Sequence, residues 1–237
     1  MVDDQRRILS RVGTRKLHYL ISEQLAMEHI KFGRDKLFTL MKRHGLLIQP
    51  IRRYVQTTMS RHWLRKWPNL MKTALIEKPD TVWVSDITYI KTLQGNCYLN
   101  MVTDAYSRKI VGYAVDTTME AESMVMALKM AVRQKKNNVS TIHHSDRGLQ
   151  YCSKEYVDTA NANNIRLSMT ENSDPYENAL AERMNRTIKE EFGLGRILLD
   201  IQQVKALIKE AVKLYNTVRP HLALKMLTPE DVYSKIN

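Results

Sequence analysis

The sequence predicts an α/β protein: a mixed sheet of about five strands with flanking helices, preceded by a small basic helical module. Three observations predict it. Residues 79–169 alternate short β-branched or apolar runs with turn signals and amphipathic helical stretches. The last third has helical periodicity throughout. Charge is divided unevenly: residues 1–80 hold 17 Lys and Arg against 7 Asp and Glu, a balance of +10, and residues 81–237 hold 20 against 18, in a chain of net charge +12. A basic first third on a nearly neutral remainder fits a nucleic-acid-binding module on an enzyme-like body. A solubilising surface is the plainer alternative.

From the start, residues 14–45 read as two helices. Leu17, Leu20, Ile21, Gln24 and Leu25 recur at helical spacing in the first. The second runs from about Arg34 to His44, with Leu37, Leu40 and Met41 on one side, Arg34, Lys36, Lys42 and Arg43 around it, and Gly45 as its stop. Two short helices about a Gly-containing turn, the second basic, match a helix-turn-helix that would offer those four cations to DNA. Residues 51–78 read as a basic arm in which Arg52 and Arg53 track phosphates. Trp63 and Trp67, four apart, suit docking of that arm onto the next domain somewhat better than stacking on bases or sugars.

Three strands follow, Val82–Ile90, Cys97–Asp104 and Lys109–Val115, separated by Leu93-Gln-Gly-Asn96 and Ala105-Tyr-Ser-Arg108. Next come a helix from about Glu120, a strand at Thr141–Ser145, a helix opened by Ser153 and a strand at Ile165–Met169. Helices close the chain: Asn178–Phe192, one started by the capping box Asp200-Ile-Gln-Gln203 and ended by Pro220, and a short one with Pro229 at its first position. Three strands, helix, strand, helix, strand, helices is the element order of the ribonuclease-H-like fold. The expected division is a helix-turn-helix module at 1–50, an arm at 51–78, a catalytic core at 79–195 and a helical extension packed on it at 196–237.

Several classes are excluded. Cys97 and Cys152 are far apart and form no CxxC or CxxH pair, against a disulfide framework or a cysteine zinc site. No segment approaches 18 uninterrupted apolar residues, and residues 1–15 hold no apolar signal-peptide core. The expectation is a soluble intracellular protein.

The chemistry rests on three carboxylates. Asp86 interrupts an otherwise apolar strand, where a carboxylate is costly unless paired or metal-bound. Asp146 follows the strand Thr141–Ser145, at the carboxyl end where open α/β sheets place their sites. Glu182 lies on the helix 178–192, beside its apolar face of Ala181, Met184, Ile188 and Phe192, with Arg186 and Lys189 one and two turns on and in reach of a phosphate backbone. Oxygen donors spaced like this in a basic chain fit Mg²⁺-dependent cutting and joining of DNA. Asp104, closing the second strand, is the strongest decoy; Asp116, Glu120 and Glu122 read as surface charges or caps. His143 and His144 point to opposite faces of their strand, and His144 is the one expected to support Asp146 or contact DNA.

The strings Trp83-Val-Ser-Asp86-Ile-Thr-Tyr89, His144-Ser-Asp146-Arg-Gly148, Asp174-Pro-Tyr-Glu-Asn178-Ala-Leu-Ala-Glu182-Arg-Met-Asn185 and Tyr215-Asn-Thr-Val-Arg219-Pro-His221 resemble transposases of the insertion sequence 3 family, in particular the second-frame product that carries the integrase core. The resemblance runs from about Gly13 to Tyr233. It implies a catalytic, metal-holding triad of Asp86, Asp146 and Glu182, keeping the family's 35-residue second gap. It also implies supporting roles for His144, Asn178, Asn185 and Arg219, and two Mg²⁺ or Mn²⁺ ions as cofactors. Its implied partners are double-stranded DNA as element end and target, a second copy or more of the chain, and an upstream first-frame product or fusion with it. A bacterial cytoplasm, at the nucleoid, is the implied location. Two rival readings stay open at this point: a catalytically idle DNA-binding remnant, and a plain nuclease of the same fold.

Overall fold

The computed structural model describes residues 1–49, 67–136, 139–171, 178–194 and 198–235. Most of the arm, with Arg52, Arg53 and Trp63, lies outside the described residues, as does Asp174.

The sheet is built from β1 (Val82–Thr92), β2 (Gly95–Asp104), β3 (Ile110–Asp116), β4 (Thr141–Ser145) and β5 (Ile165–Met169), in the order β3-β2-β1-β4-β5. The first three form an antiparallel meander because their connections are tight turns. β4 and β5 join parallel to β1, because each is reached through a crossover helix: α4 (Ala121–Gln134) and α5 (Lys154–Ala162). Ser153 caps α5 by accepting from the Tyr156 N–H.

Strand alternation divides the core into two layers. Val102 and Val111 face α4 and α5 in a cluster with Trp83, Leu128 and Tyr156. Their neighbours Met101 and Ile110 face the other way, toward α6 (Ala179–Glu191) and α7 (Ile201–Thr217), in a cluster with Met184, Ile188, Ile208 and Tyr215. The predicted capping box opens α7: the Gln203 N–H donates to Asp200 Oδ1, and Asp200 N–H to Gln203 Oε1. Asn216 of α7 holds the edge strand by a two-way amide bond, accepting from Ile110 N–H and donating to Ile110 O, each at 3.0 Å. Thr228 and Pro229 start α8 (Pro229–Ser234), whose Tyr233 is buried in the α4 layer.

Asp104 is a structural acid. It is fully buried, accepting from the Asp80 N–H and from both the N–H and hydroxyl of Ser107. Asp80 in turn accepts from Trp83 Nε1, the Tyr233 hydroxyl and the Lys136 N–H. This network ties the start of β1 to the β2–β3 turn and to α8.

β3 and α4 approach so closely that only glycine fits at 112. A Cβ there would lie 2.1 Å from Ala127 O and 3.0 Å from Ala131 N, both backbone atoms that cannot swing away. Gly112→Ala should cost about 1–3 kcal/mol by overpacking, which for a chain of this size lowers the melting temperature by roughly 2–12 °C. Thermal melting by circular dichroism checks this, and an unchanged midpoint would mean that α4 yields freely.

The helical module consists of α1 (Val2–Ile8), α2 (Thr14–Met27) and α3 (Arg34–Arg43). Residues 2–8 had no sequence signal: no residue of that helix is buried, so it lacks an apolar stripe. Leu9, Val12, Leu17, Ile21, Leu25, Leu37 and Met41 form the module's core, and Phe192, Leu214 and Val218 pack against it. The module therefore sits on the carboxyl ends of α6 and α7. Trp67 packs against the α4-side core, the docking role read from its spacing.

Candidate active site

Register brings the first two acids together. Val84 of β1 pairs with His144 at the end of its parallel ladder with β4, and Asp86 and Asp146 each follow two residues later. Asp146 lies just past the end of β4, with Oδ1 accepting from the Gly148 N–H at 3.0 Å. Glu182 comes from the first turn of α6 and is exposed.

The electrostatics record this closeness. Burial, then the charge of Asp146, and more weakly that of Glu182, push the Asp86 carboxyl up from 3.8 to about 7. The groups that oppose this rise are neutral donors: the Asn185 amide and the Ile87 N–H. Glu182 is also raised, by burial and by Asp146, against the pull of Arg186. These are hard oxygen donors whose mutual repulsion at Asp86 is relieved by neutral donors among the described residues, and a divalent cation suits such a set. Among the described residues, no three His, Cys, Asp or Glu stand close enough to form a complete metal cluster as they are.

Helix α6 is stitched to β1 on both sides of Asp86. Asn178 donates to Ser85 O at 3.0 Å, and Asn185 donates to Asp86 Oδ2 at 2.8 Å. Lys189 donates to Thr88 Oγ1 at 3.1 Å and to Tyr89 O at 2.9 Å, with its ammonium 4.7 Å from the Tyr89 ring centre. Intervals of seven and four residues put the three on one helical face. The sequence expectation for Lys189 was a phosphate contact; the structure turns it toward the strand because β1 offers two oxygens and a ring. Arg186, one turn beyond Glu182, is exposed.

Arg219 differs from expectation, and His144 differs in its expected DNA contact. His144 is fully buried, with Nδ1 2.9 Å from Ser168 Oγ, so it braces β4 against β5 and presents nothing to DNA. Arg219 makes none of its hydrogen bonds to the acids: it is buried in a bidentate pair with Glu191, Nε to Oε2 at 2.5 Å and Nη2 to Oε1 at 2.6 Å. Sequence reasoning missed Glu191 itself, which also receives Lys16 at 3.2 Å from the module. Nothing local could have signalled a pair formed across 175 positions. Also missed was a buried network behind Asp86, in which Ser85 Oγ lies 2.7 Å from His143 Nε2 and the Tyr156 hydroxyl 3.1 Å from the same nitrogen. Burial, with the neighbouring His144, drops the His143 ring to about 3, so it stays neutral.

On the module, α3 exposes Lys36, Lys42 and Arg43, and Arg34 pairs with its neighbour Asp35 at 2.9 Å.

Comparison with known proteins gives concordant matches. Residues 76–175 and 163–229 match two models, both described as integrase core domain. A Shigella sonnei protein described as the uncharacterized 31 kDa protein of insertion element IS600 is 35% identical over 219 residues, covering 92% of this chain and 79% of that protein. The transposase InsF of insertion sequence IS3A from Escherichia coli K12 is 29% identical, covering 91% and 75%. Among solved structures, the HTLV-2 integrase catalytic core domain in complex with magnesium superposes with a TM-score of 0.53 at 18% identity, covering 66% of this chain and 98% of that one.

Proposed function

Since the chain belongs to the insertion sequence 3 family of transposases, we propose that it is a DNA transposase that cuts element ends and joins them to target DNA, with Asp86, Asp146 and Glu182 as its catalytic acids. The observation that carries this reading is the closeness of Asp86 to Asp146, whose charge, after burial, raises the Asp86 carboxyl to about 7, beside a helix whose first turn carries Glu182.

In hydrolysis a water oxygen bonds to phosphorus as the P–O3′ bond breaks, and the water's proton ends on the released 3′ oxygen. In transfer, that 3′ hydroxyl oxygen bonds to a phosphorus of the target strand while the target's own 3′ oxygen leaves, and the proton given up by the attacking hydroxyl ends on the leaving oxygen. Divalent cations, two Mg²⁺ or Mn²⁺ in this proposal, would polarise the phosphoryl oxygens and activate the attacking one. The chain's part is to hold the acids: β1 carries the first, the end of β4 leads into the second, and α6, tied to β1 by Asn178, Asn185 and Lys189, carries the third in its first turn. Exposed Arg186 is the cation nearest in sequence to Glu182 on its helical face, and we assign it to the DNA backbone.

The experiment is strand transfer with Mg²⁺ and labelled element ends. Joined products support the transposase reading. Cleavage without joining would favour the plain nuclease, and binding with neither reaction the idle DNA-binding remnant.

We assign duplex binding to α3. Lys36→Ala with Arg43→Ala should weaken duplex affinity and flatten its log–log salt dependence by about 1.8, roughly 0.9 for each phosphate contact. Melting temperature should hold, because both side chains are exposed. Fluorescence anisotropy over a salt series reads the slope, and an unaltered slope would move the contacts to another surface.

A further inference from the structure

Asp86 stands on β1, yet one of its two oxygens is governed from α6. Oδ1 accepts from the Ile87 N–H at 2.9 Å, and Oδ2 accepts from Asn185 Nδ2 at 2.8 Å. One donor on each oxygen fixes the plane of the carboxylate. Asn185 is 5% exposed, and its side-chain Oδ1 is buried with no hydrogen-bond partner among the described residues. It follows Glu182 by three residues, so the turn of helix that presents the third acid also holds the first.

We propose that Asn185 is a positioning residue of the metal site: its amide N–H turns the Asp86 carboxylate toward the cation, and its buried Oδ1 accepts a hydrogen bond from a water of the cation's hydration shell. This rests on the reading of Asp86 and Asp146 as metal ligands. Two features favour it over simple helix docking. Docking needs a donor on any acceptor of β1, as Asn178 provides on the Ser85 carbonyl, whereas Asn185 meets the one side chain whose orientation the chemistry depends on. Asn178 Oδ1 is likewise buried without a partner among the described residues, but the reserve acceptor of Asn185 belongs to the amide already bound to that carboxylate, and a hydrated divalent cation, which retains several of its waters, supplies donors for it.

Asn178 provides the internal control. Asn178 and Asn185 are equally buried, and each gives α6 one hydrogen bond to β1. Mn²⁺ binding to the full chain is measured by calorimetry for the wild type, Asp86→Asn, Asn185→Ala, Asn185→Ser and Asn178→Ala, together with the melting temperature of each without metal. The proposal expects Asn185→Ala to weaken Mn²⁺ binding by about 10–100-fold, the usual cost of losing a residue that orients a metal ligand. Asn178→Ala, which loosens α6 without removing a bond to an acid, should weaken Mn²⁺ binding markedly less than Asn185→Ala while melting as low. Strand transfer by Asn185→Ala should recover at raised Mn²⁺. Equal affinities for Asn178→Ala and Asn185→Ala would overturn the proposal and make Asn185 a docking residue only. Failure of both the alanine and serine variants to fold would do the same. If instead the wild type and Asp86→Asn bind Mn²⁺ alike, the metal-site reading itself fails, an outcome distinct from either.

Discussion

Asp86→Asn, Asp146→Asn and Glu182→Gln should each reduce cleavage and strand transfer by roughly 10³-fold or more, while duplex binding stays close to wild type. Each swap removes a ligand charge and almost no volume. Losing several kcal/mol of charge stabilisation at the transferring phosphoryl group corresponds to that factor at about 1.4 kcal/mol per decade. Glu122→Gln, on an exposed turn of α4, is the matched control and should be fully active. Asp104→Asn would be a poor one, because both Asp104 oxygens accept hydrogen bonds in a buried staple and an amide would set a donor against a donor.

Asp86→Asn has a second signature that separates lost chemistry from lost folding. The Asp86 carboxyl is raised in the fold, from 3.8 to about 7, so the folded state holds its proton more tightly than the unfolded chain. Its contribution to stability is therefore complete below about pH 4 and lost as pH rises through about 7. In the presence of a chelator, the wild type should melt lower at pH 8 than at pH 5, and Asp86→Asn should show less of that decline. A catalytically dead variant that melts at least as high as the wild type at pH 8 would fit an acid retained for function at a cost in stability. Near-normal strand transfer by any one of the three variants would remove that residue from the site.

Much of this architecture is legible in the sequence because it is local. β3 carries a short apolar run, β5 alternates Ile165, Leu167 and Met169 with polar residues, and α7 announces itself by Asp200 and Gln203 at capping-box spacing. Asp86 is conspicuous as a charge in an apolar strand. Long-range pairings carry no such mark. Lys189 looks like a free cation until β1 is seen to offer it the Thr88 hydroxyl and the Tyr89 carbonyl. Arg219 looks like a site residue because it lies in a family motif, but its partner is Glu191, 28 positions away on another helix. Helix α1 lacks any buried residue, so no periodicity could reveal it.

Glu191 is where the largest loss of stability is expected. It is the last residue of α6, the helix that begins beside Glu182, and it binds Arg219 from the end of α7 and Lys16 from α2. Ser10 also donates to its backbone carbonyl at 3.2 Å. Burial raises the Glu191 carboxyl, but the Arg219 and Lys16 bonds outweigh burial and hold it below the usual carboxylate range. Glu191→Gln would leave a guanidinium 5% exposed without its counter-charge. Breaking one side of a buried pair costs about 3–5 kcal/mol, which is roughly 6–20 °C in melting temperature for a chain of this length. The acid limb should report the same pair. Because the folded value is depressed, its contribution is present at neutral pH and lost as pH falls through and below the normal carboxylate range. The variant's acid unfolding should accordingly be shallower than that of the wild type. Replacing both partners by apolar side chains, Glu191→Leu with Arg219→Met, should recover much of the loss, since a buried pair and a packed apolar pair differ little in stability. The apolar contacts of Phe192, Leu214 and Val218 with the module would then be left to hold it. If the single variant melts within 1–2 °C of the wild type, expressed against the roughly 2–4 °C per kcal/mol expected for this size, the module is held by those contacts alone and Glu191 is incidental to its seat on the catalytic helix.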